Sequence, residues 1–318
     1  MDGANIRAIP AGISGPYGGV PCYLTVIVWK MPDITRFAPS PTGGLHLGHV
    51  ASALAGWRAA NESGGHFLLR IEDIDPGRCR DAFAHDLMAD LRWLGLDWPE
   101  PVRWQSRHLA DYAAVLARLG ARGLVYPCFC TRRDIADEIA ASAHAPHHAP
   151  DGSVVYPGTC RHLSPTRRAA LLAAGTPHAL RLDMGRALSV PGARDLTWHE
   201  RGEGRQRCHP ELFGDVVLAR KDVMASYHLC VTHDDALQGI TLVTRGEDLR
   251  PATSLHRLLQ HLMGWAEPEY AHHPLLCDAS GRRLAKRDRA MTIAAMRAAG
   301  MTPQAVRAAA GDPGPVMA

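Results

Sequence analysis

Residues 36–49 read Arg-Phe-Ala-Pro-Ser-Pro-Thr-Gly-Gly-Leu-His-Leu-Gly-His and run directly into Val-Ala-Ser-Ala-Leu-Ala-Gly-Trp, whose apolar residues recur at helical spacing. Pro39 and Pro41 can neither donate to a sheet ladder nor continue a helix, and Gly43 and Gly44 open backbone angles closed to other residues. The stretch predicts the end of a strand, a tight turn between Ser40 and Leu45, and the start of a helix. His46 and His49, three apart in the first turn, share one face of that helix beside N–H groups that lack intrahelical partners, a setting that attracts phosphate.

Taken alone, two histidines at a helix start are as readily explained as solvated capping residues. Here they follow Arg-Phe-Ala-Pro-Ser-Pro-Thr-Gly, and the whole run resembles the opening of the glutamyl- and glutaminyl-tRNA synthetases, whose class I signature is H-x-G-H. The resemblance implies an α/β, Rossmann-like class I aminoacyl-tRNA synthetase catalytic domain with an inserted zinc-containing subdomain. It implies ATP, with Mg2+, at His46, Gly48 and His49.

Beyond the helix, Gly64-Gly65 breaks the pattern, and His66-Phe-Leu-Leu-Arg-Ile-Glu-Asp-Ile-Asp reads as a buried strand emerging into a charged loop. Strand, helix, strand implies a right-handed crossover and a parallel sheet, with the ligand at the carboxyl ends of the strands. Residues 36–40 and 70–78 should therefore face one pocket. Arg70, Glu72, Asp73, Asp75 and Arg78 can also be read as a solvated loop. Arg-Ile-Glu-Asp-Ile-Asp is similar to a glutamyl synthetase signature, with Ile74 where Thr is usual, which implies that Glu72 holds the amino group of the amino acid. Residues 81–123 carry helical periodicity, interrupted by Trp93-Leu-Gly-Leu-Asp-Trp-Pro, and read as scaffold.

Tyr126-Pro-Cys-Phe-Cys supplies Cys128 and Cys130, and Tyr156-Pro-Gly-Thr-Cys supplies Cys160. Three thiols in a short span are either a metal site or small buried hydrophobes. Cys-x-Cys followed by Tyr-x-x-x-Cys is similar to the zinc site of the glutamyl-Q tRNA(Asp) synthetases and some glutamyl-tRNA synthetases. It implies one Zn2+ on Cys128, Cys130, Tyr156 and Cys160. The 25 residues between Cys130 and Tyr156 contain His144, His147 and His148, and a histidine can displace Tyr156 as fourth ligand.

Tyr227 stands at the start of a strand or helix, and Arg245 at the end of the β-branched run Ile-Thr-Leu-Val-Thr-Arg. Both can be an ordinary half-buried aromatic and an ordinary surface cation. The family resemblance instead places L-glutamate against Arg36, Phe37, Ala38, Pro39, Ser40, Glu72, Tyr227 and Arg245, where a dicarboxylic amino acid meets two-pronged donors. Gly281-Arg-Arg-Leu-Ala-Lys-Arg-Asp resembles the family's K-L-S-K loop, with Arg283 for the first Lys and Ala285 for Ser. Lys286 keeps the second Lys, which implies that it steadies the triphosphate; the chain has only two other lysines, Lys30 and Lys221.

Composition sets wider bounds. With 35 basic and 32 acidic residues the total charge gives no strong sign of nucleic-acid binding, and a local basic face stays open. Eight cysteines without a disulfide framework, and no signal peptide, suggest a reducing cytoplasm, and the apolar run Tyr23 to Trp29 is too short to span a bilayer. We expect an extension over 1–32, two catalytic halves at 33–125 and 211–300, a zinc-binding connective insertion at 126–210 and a tail at 301–318. Only 28 residues follow Ala290, too few for an anticodon-binding domain, so the expectation is a catalytic domain on its own, as a monomer. The resemblance implies glutamate activation without tRNA and transfer to queuosine at the wobble position of tRNA(Asp). The alternative is a short glutamyl-tRNA synthetase paralogue that charges a tRNA 3′ end. A nucleotidyltransferase would leave Arg36, Glu72, Tyr227 and Arg245 unexplained.

Overall fold

The molecule is known here as a computed structural model that describes residues 5–9, 24–28, 31–141, 148–223, 225–276 and 291–312. The segment 277–290, which carries Lys286 and its loop, lies outside the described residues, as do His144 and His147. Within the expected N-terminal extension, β1 (Asn5–Ile9) and β2 (Leu24–Val28) pair as an antiparallel ribbon.

The sequence stretch around His46 forms as expected. Strand β3 (Ile34–Phe37) leads through the proline- and glycine-rich turn into α1 (Leu47–Ser63), which returns to β4 (His66–Ile71), parallel to β3. Gly64 ends α1 in the left-handed conformation, φ 68°. Gly65 then passes so close to the start of β3 that a Cβ there would stand 2.0 Å from the Asp33 carbonyl oxygen, so only glycine fits.

After α2 (Asp81–Trp93), β5 (Arg103–Trp104) joins β4 in parallel, and α3 (Leu109–Ala121) leads to β6 (Val125–Cys128). The chain then passes through α4 (Arg132–Ala141), α5 (Pro165–Ala173), β7 (Ala179–Leu182), α6 (Met184–Ala187), β8 (Thr197–Glu200), β9 (Gly204–Arg207) and β10 (Val217–Ala219). It closes with α7 (Tyr227–Leu237), β11 (Leu242–Gly246), α8 (Thr253–Met263), β12 (Glu269–His273), α9 (Ile293–Ala298) and α10 (Pro303–Ala309).

Strands β11 and β12 are parallel, β12 is parallel to β8, and β8 pairs with β9 antiparallel. β11 meets β3 where the Thr241 N–H donates to the Ile34 carbonyl at 3.0 Å. The order across the molecule is thus β5-β4-β3-β11-β12-β8-β9, and the direction of winding reverses between β3 and β11. Both faces are covered: along β4, Phe67 and Leu69 enter one apolar core while Leu68, pointing the other way, packs against a second.

A separate three-stranded antiparallel sheet, β10-β7-β6, carries the cysteine motif. β8 and β9 fall inside the 126–210 span assigned to the insertion but pair with the main sheet instead, because Tyr270 of β12 lies opposite Glu200 and its carbonyl accepts from the Arg201 N–H at 2.7 Å. No described helix is long and apolar enough to cross a membrane.

Candidate active site

The reversal between β3 and β11 places a cavity of about 660 Å³ at the carboxyl ends of these strands. Arg36, Phe37, Ala38, Pro39 and Ser40 arrive from β3, His46, Gly48 and His49 from α1, Glu72 from the end of β4, Tyr227 from α7, and Arg245 from β11. All line this one cavity. The predicted glutamate and ATP residues are thus brought together, Lys286 excepted, since it lies outside the described residues.

His46 caps α1 in an extended conformation, and its backbone N–H donates to Nδ1 of His49 at 3.3 Å. The two rings stack with centroids 3.8 Å apart. Because Nδ1 of His49 accepts, its proton sits on Nε2, which becomes a donor. A Cβ at Gly48 would approach Cε1 of His46 to 3.1 Å, so the glycine of the H-x-G-H motif gives the ring its place.

Behind the cavity lies a charge network that the sequence did not announce. Arg36 grips Asp235 with two prongs, Nε to Oδ1 at 2.9 Å and Nη2 to Oδ2 at 3.1 Å, and donates to the Thr244 carbonyl of β11. Arg70, wholly buried, donates to the same Asp235 at 2.7 Å and to Gln238. Asp234 is held by Arg103, Gln105 and Tyr112. Burial alone would push the Asp235 carboxyl up, but Arg36 and Arg70 outweigh it and hold the group below the usual range. Two adjacent acids on a helix whose neighbours are buried were the available signal for this network, since buried carboxylates require partners.

The loop after β4 divides at Asp73. Glu72 and Asp73 are buried, Asp73 accepting from the Ser106 N–H and hydroxyl, whereas Arg78 faces solvent. Burial pushes the Glu72 carboxyl up to about 7, against the pull of Arg70, whose Nε stands 3.8 Å away. The phenol of Tyr227, the first residue of α7 after the cap Ser226, is likewise pushed up by burial.

Arg245 is held differently from Arg36. Its Nε donates to Nε2 of His272 at 3.1 Å, its Nη1 to Nδ1 of His256 at 3.0 Å and its Nη2 to the Thr253 hydroxyl, with the Tyr270 ring 5.3 Å from the guanidinium carbon. The sequence reading gave neither histidine a role.

At the second motif, the sulfurs of Cys128, Cys130 and Cys160 lie within 4.8 Å of one another. Cys130 and Cys160 are 3.4 Å apart, and the Tyr156 hydroxyl stands 3.3 Å from Cys130 while accepting from the Cys160 N–H at 2.8 Å. Ligands of a tetrahedral ion with metal–sulfur bonds of about 2.3 Å stand about 3.8 Å from each other, so three thiolates and one phenolic oxygen fit such an ion. His148 is not part of this cluster, and its Nδ1 stands 3.3 Å from the Gly152 carbonyl.

Comparison with known proteins gives the family. A family described as tRNA synthetases class I (E and Q), catalytic domain, matches residues 34–312. The chain is 48% identical to a glutamyl-Q tRNA(Asp) synthetase of Rhodobacter capsulatus over 86% of its own length and 98% of that protein, and 43% identical to one of Symbiobacterium thermophilum over 85% and 83%. Among solved structures, it superposes on a glutamate tRNA ligase from Elizabethkingia meningosepticum, crystallised in complex with its amino acid, with TM-score 0.67 and 30% identity. That match covers 81% of this chain and 52% of the other, so the chain spans about half of that structure.

Proposed function

We infer function from one premise: the chain belongs to the catalytic-domain family of class I tRNA synthetases for glutamate and glutamine. It is a ligase of the aminoacyl-tRNA synthetase type. On that premise we propose that it activates L-glutamate with ATP and passes the glutamate to queuosine in tRNA(Asp); relatives 39–48% identical bear the name glutamyl-Q tRNA(Asp) synthetase.

The observation that carries the reading is the convergence of Glu72, Tyr227 and Arg245 with His46 and His49 on one cavity. Glu72 receives the substrate ammonium, Arg245 the side-chain carboxylate, and Arg36, which has N–H donors to spare beyond Asp235, steadies the α-carboxylate. The α-carboxylate oxygen attacks the α-phosphorus of ATP, the bond to the bridging oxygen breaks, and pyrophosphate leaves with the electron pair. His46 and His49, at the amino end of α1, and Lys286 stabilise charge on the phosphates as it shifts to the leaving group. Mg2+, when bound with the ATP, would supply further charge compensation there.

We further propose that Cys128, Cys130, Tyr156 and Cys160 hold one zinc ion in a closed, structural site, which ties β6 to the turn at Cys160. Six described cysteines are free thiols, which suits the reducing cytoplasm proposed for the chain.

Purified protein should exchange labelled pyrophosphate into ATP in the presence of glutamate, without tRNA, and not with glutamine; equal exchange with both amino acids would refute the assignment. For the second step, labelled glutamate should appear on tRNA(Asp) only when queuosine is present and should map to the anticodon fragment after nuclease digestion. Label on the 3′-terminal adenosine of unmodified tRNA would establish the 3′-charging alternative instead.

A further inference from the structure

The two arginines of the cavity have opposite electrostatic surroundings. Arg36 is ion-paired to a buried carboxylate that grips it with both oxygens. Arg245 is equally buried, yet among the described residues its side-chain partners are two imidazoles, a hydroxyl and an aromatic face, and none is a carboxylate.

Guanidinium groups only donate, so each ring nitrogen facing Arg245 must be an acceptor. That fixes both tautomers. His272 accepts on Nε2 and carries its proton on Nδ1, which donates to Glu200 at 2.8 Å; the His272 backbone N–H donates to the other Glu200 oxygen at 2.7 Å. His256 accepts on Nδ1 and donates from Nε2 to Nδ1 of His228 at 3.1 Å. Each second contact locks the ring so that an acceptor, and never a proton, faces the guanidinium.

Burial, with Arg245 alongside, holds His256 well below the usual imidazole range and brings His272 down to about 4, so both rings are neutral at physiological pH. The Glu200 carboxylate is thereby kept one imidazole away from Arg245, near enough to orient His272 and not in ion-pair contact with the guanidinium.

We propose that His256 and His272 are positioning residues that select the substrate's second carboxylate: they hold Arg245 by neutral acceptors and so leave its charge uncompensated until a dicarboxylic substrate supplies the counter-charge. An unpaired buried cation rewards a carboxylate and not an amide, which turns a positioned arginine into a device for choosing glutamate over glutamine. A carboxylate in place of either ring would hold Arg245 as well or better, and would abolish the preference. The inference rests on the glutamate-activating function proposed above.

The test compares paired variants of the full chain. His256→Asn keeps an acceptor where Nδ1 stood, and His256→Asp puts a carboxylate of the same shape there; His272→Gln and His272→Glu form the second pair where Nε2 stood. In glutamate-dependent pyrophosphate exchange, the amide variants should keep KM for glutamate within a few-fold of the unaltered protein. The carboxylate variants should raise it about tenfold or more, with KM for ATP unchanged, and should shift the glutamate-to-glutamine ratio of kcat/KM towards glutamine. A purely structural role predicts equal behaviour within each pair, and that result overturns the proposal. Unaltered protein that exchanges pyrophosphate without glutamate dependence would refute the proposed function itself; glutamate-dependent protein with matched amide and carboxylate variants would refute only this inference. If one pair fails to fold, as judged by its unfolding midpoint, the other pair decides.

Discussion

Arg36 and Asp235 form a two-pronged ion pair, 2.9 and 3.1 Å long, in which a strand residue and a helix residue 199 positions apart are both almost wholly buried. The pair fastens α7, and with it Tyr227, to the end of β3 beside the cavity. A side chain that sequence reading assigns to substrate is thus also a structural clasp.

Removing one partner of such a pair is more damaging than the pair's net worth, because the other charge stays buried. Asp235→Asn leaves Arg36 and Arg70 facing each other without their shared counter-ion, and should cost on the order of 3–5 kcal/mol of stability. Urea unfolding at neutral pH checks this; a loss below about 1 kcal/mol would place Asp235 outside the framework.

The elements whose chemistry sits at predictable places were legible. Arg36, Glu72 and Arg245 each stand at or just past the carboxyl end of a parallel strand, and Tyr227 at a capped helix start, so strand-end logic with motif resemblance found them. The residues that were not legible act through tertiary partners. Asp235 and Asp234 sit on a helix whose sequence shows two acids and no clue to the three arginines that meet them. His256 looks like part of an amphipathic stripe until β11 and β12 bring Arg245 and His272 to it. Which strands of 178–220 return to the main sheet was not legible for the same reason, since the partner of β8, β12, lies about 70 residues later and strand pairing at that distance leaves no local pattern.

Arg245→Ala should remove the cation that meets the substrate's second carboxylate. The loss is about 2–5 kcal/mol, or a rise of about 30-fold or more in KM for glutamate, with KM for ATP little changed. An unchanged glutamate dependence in pyrophosphate exchange would take Arg245 out of the site.

At the cysteine cluster, Cys160→Ser should reduce bound zinc, measured by elemental analysis of dialysed protein, from about one per chain to a small fraction. Tyr156→Phe removes only the oxygen that stands 3.3 Å from Cys130. It should weaken zinc retention against a chelator, and retention equal to that of the unaltered protein would show that another group completes the shell.

Glu72 gives the sharpest pH signature. Its carboxyl is pushed up to about 7 by burial, so the folded protein holds this proton over a range, from about 4.5 to about 7, in which the unfolded chain has released it. A group whose folded value is raised in this way costs stability as pH rises through that window, here on the order of 3 kcal/mol by about pH 8. Glu72→Gln should therefore raise the unfolding midpoint at about pH 8 and leave it nearly unchanged at about pH 5, where the carboxyl is already protonated in the fold. Function runs the other way, because only the carboxylate can receive the substrate ammonium. KM for glutamate should fall as pH rises from about 6 to about 8, and Glu72→Gln should abolish that dependence while raising KM throughout. Asp235→Asn supplies the control. Asp235 is among the charges that raise Glu72, and its loss also frees Arg36 and Arg70 to favour the carboxylate, so the pH at which KM changes should move down in any fraction of that variant that folds. A glutamate KM that is flat across this range in the unaltered protein would mean that Glu72 is not the ammonium receptor, whatever its burial.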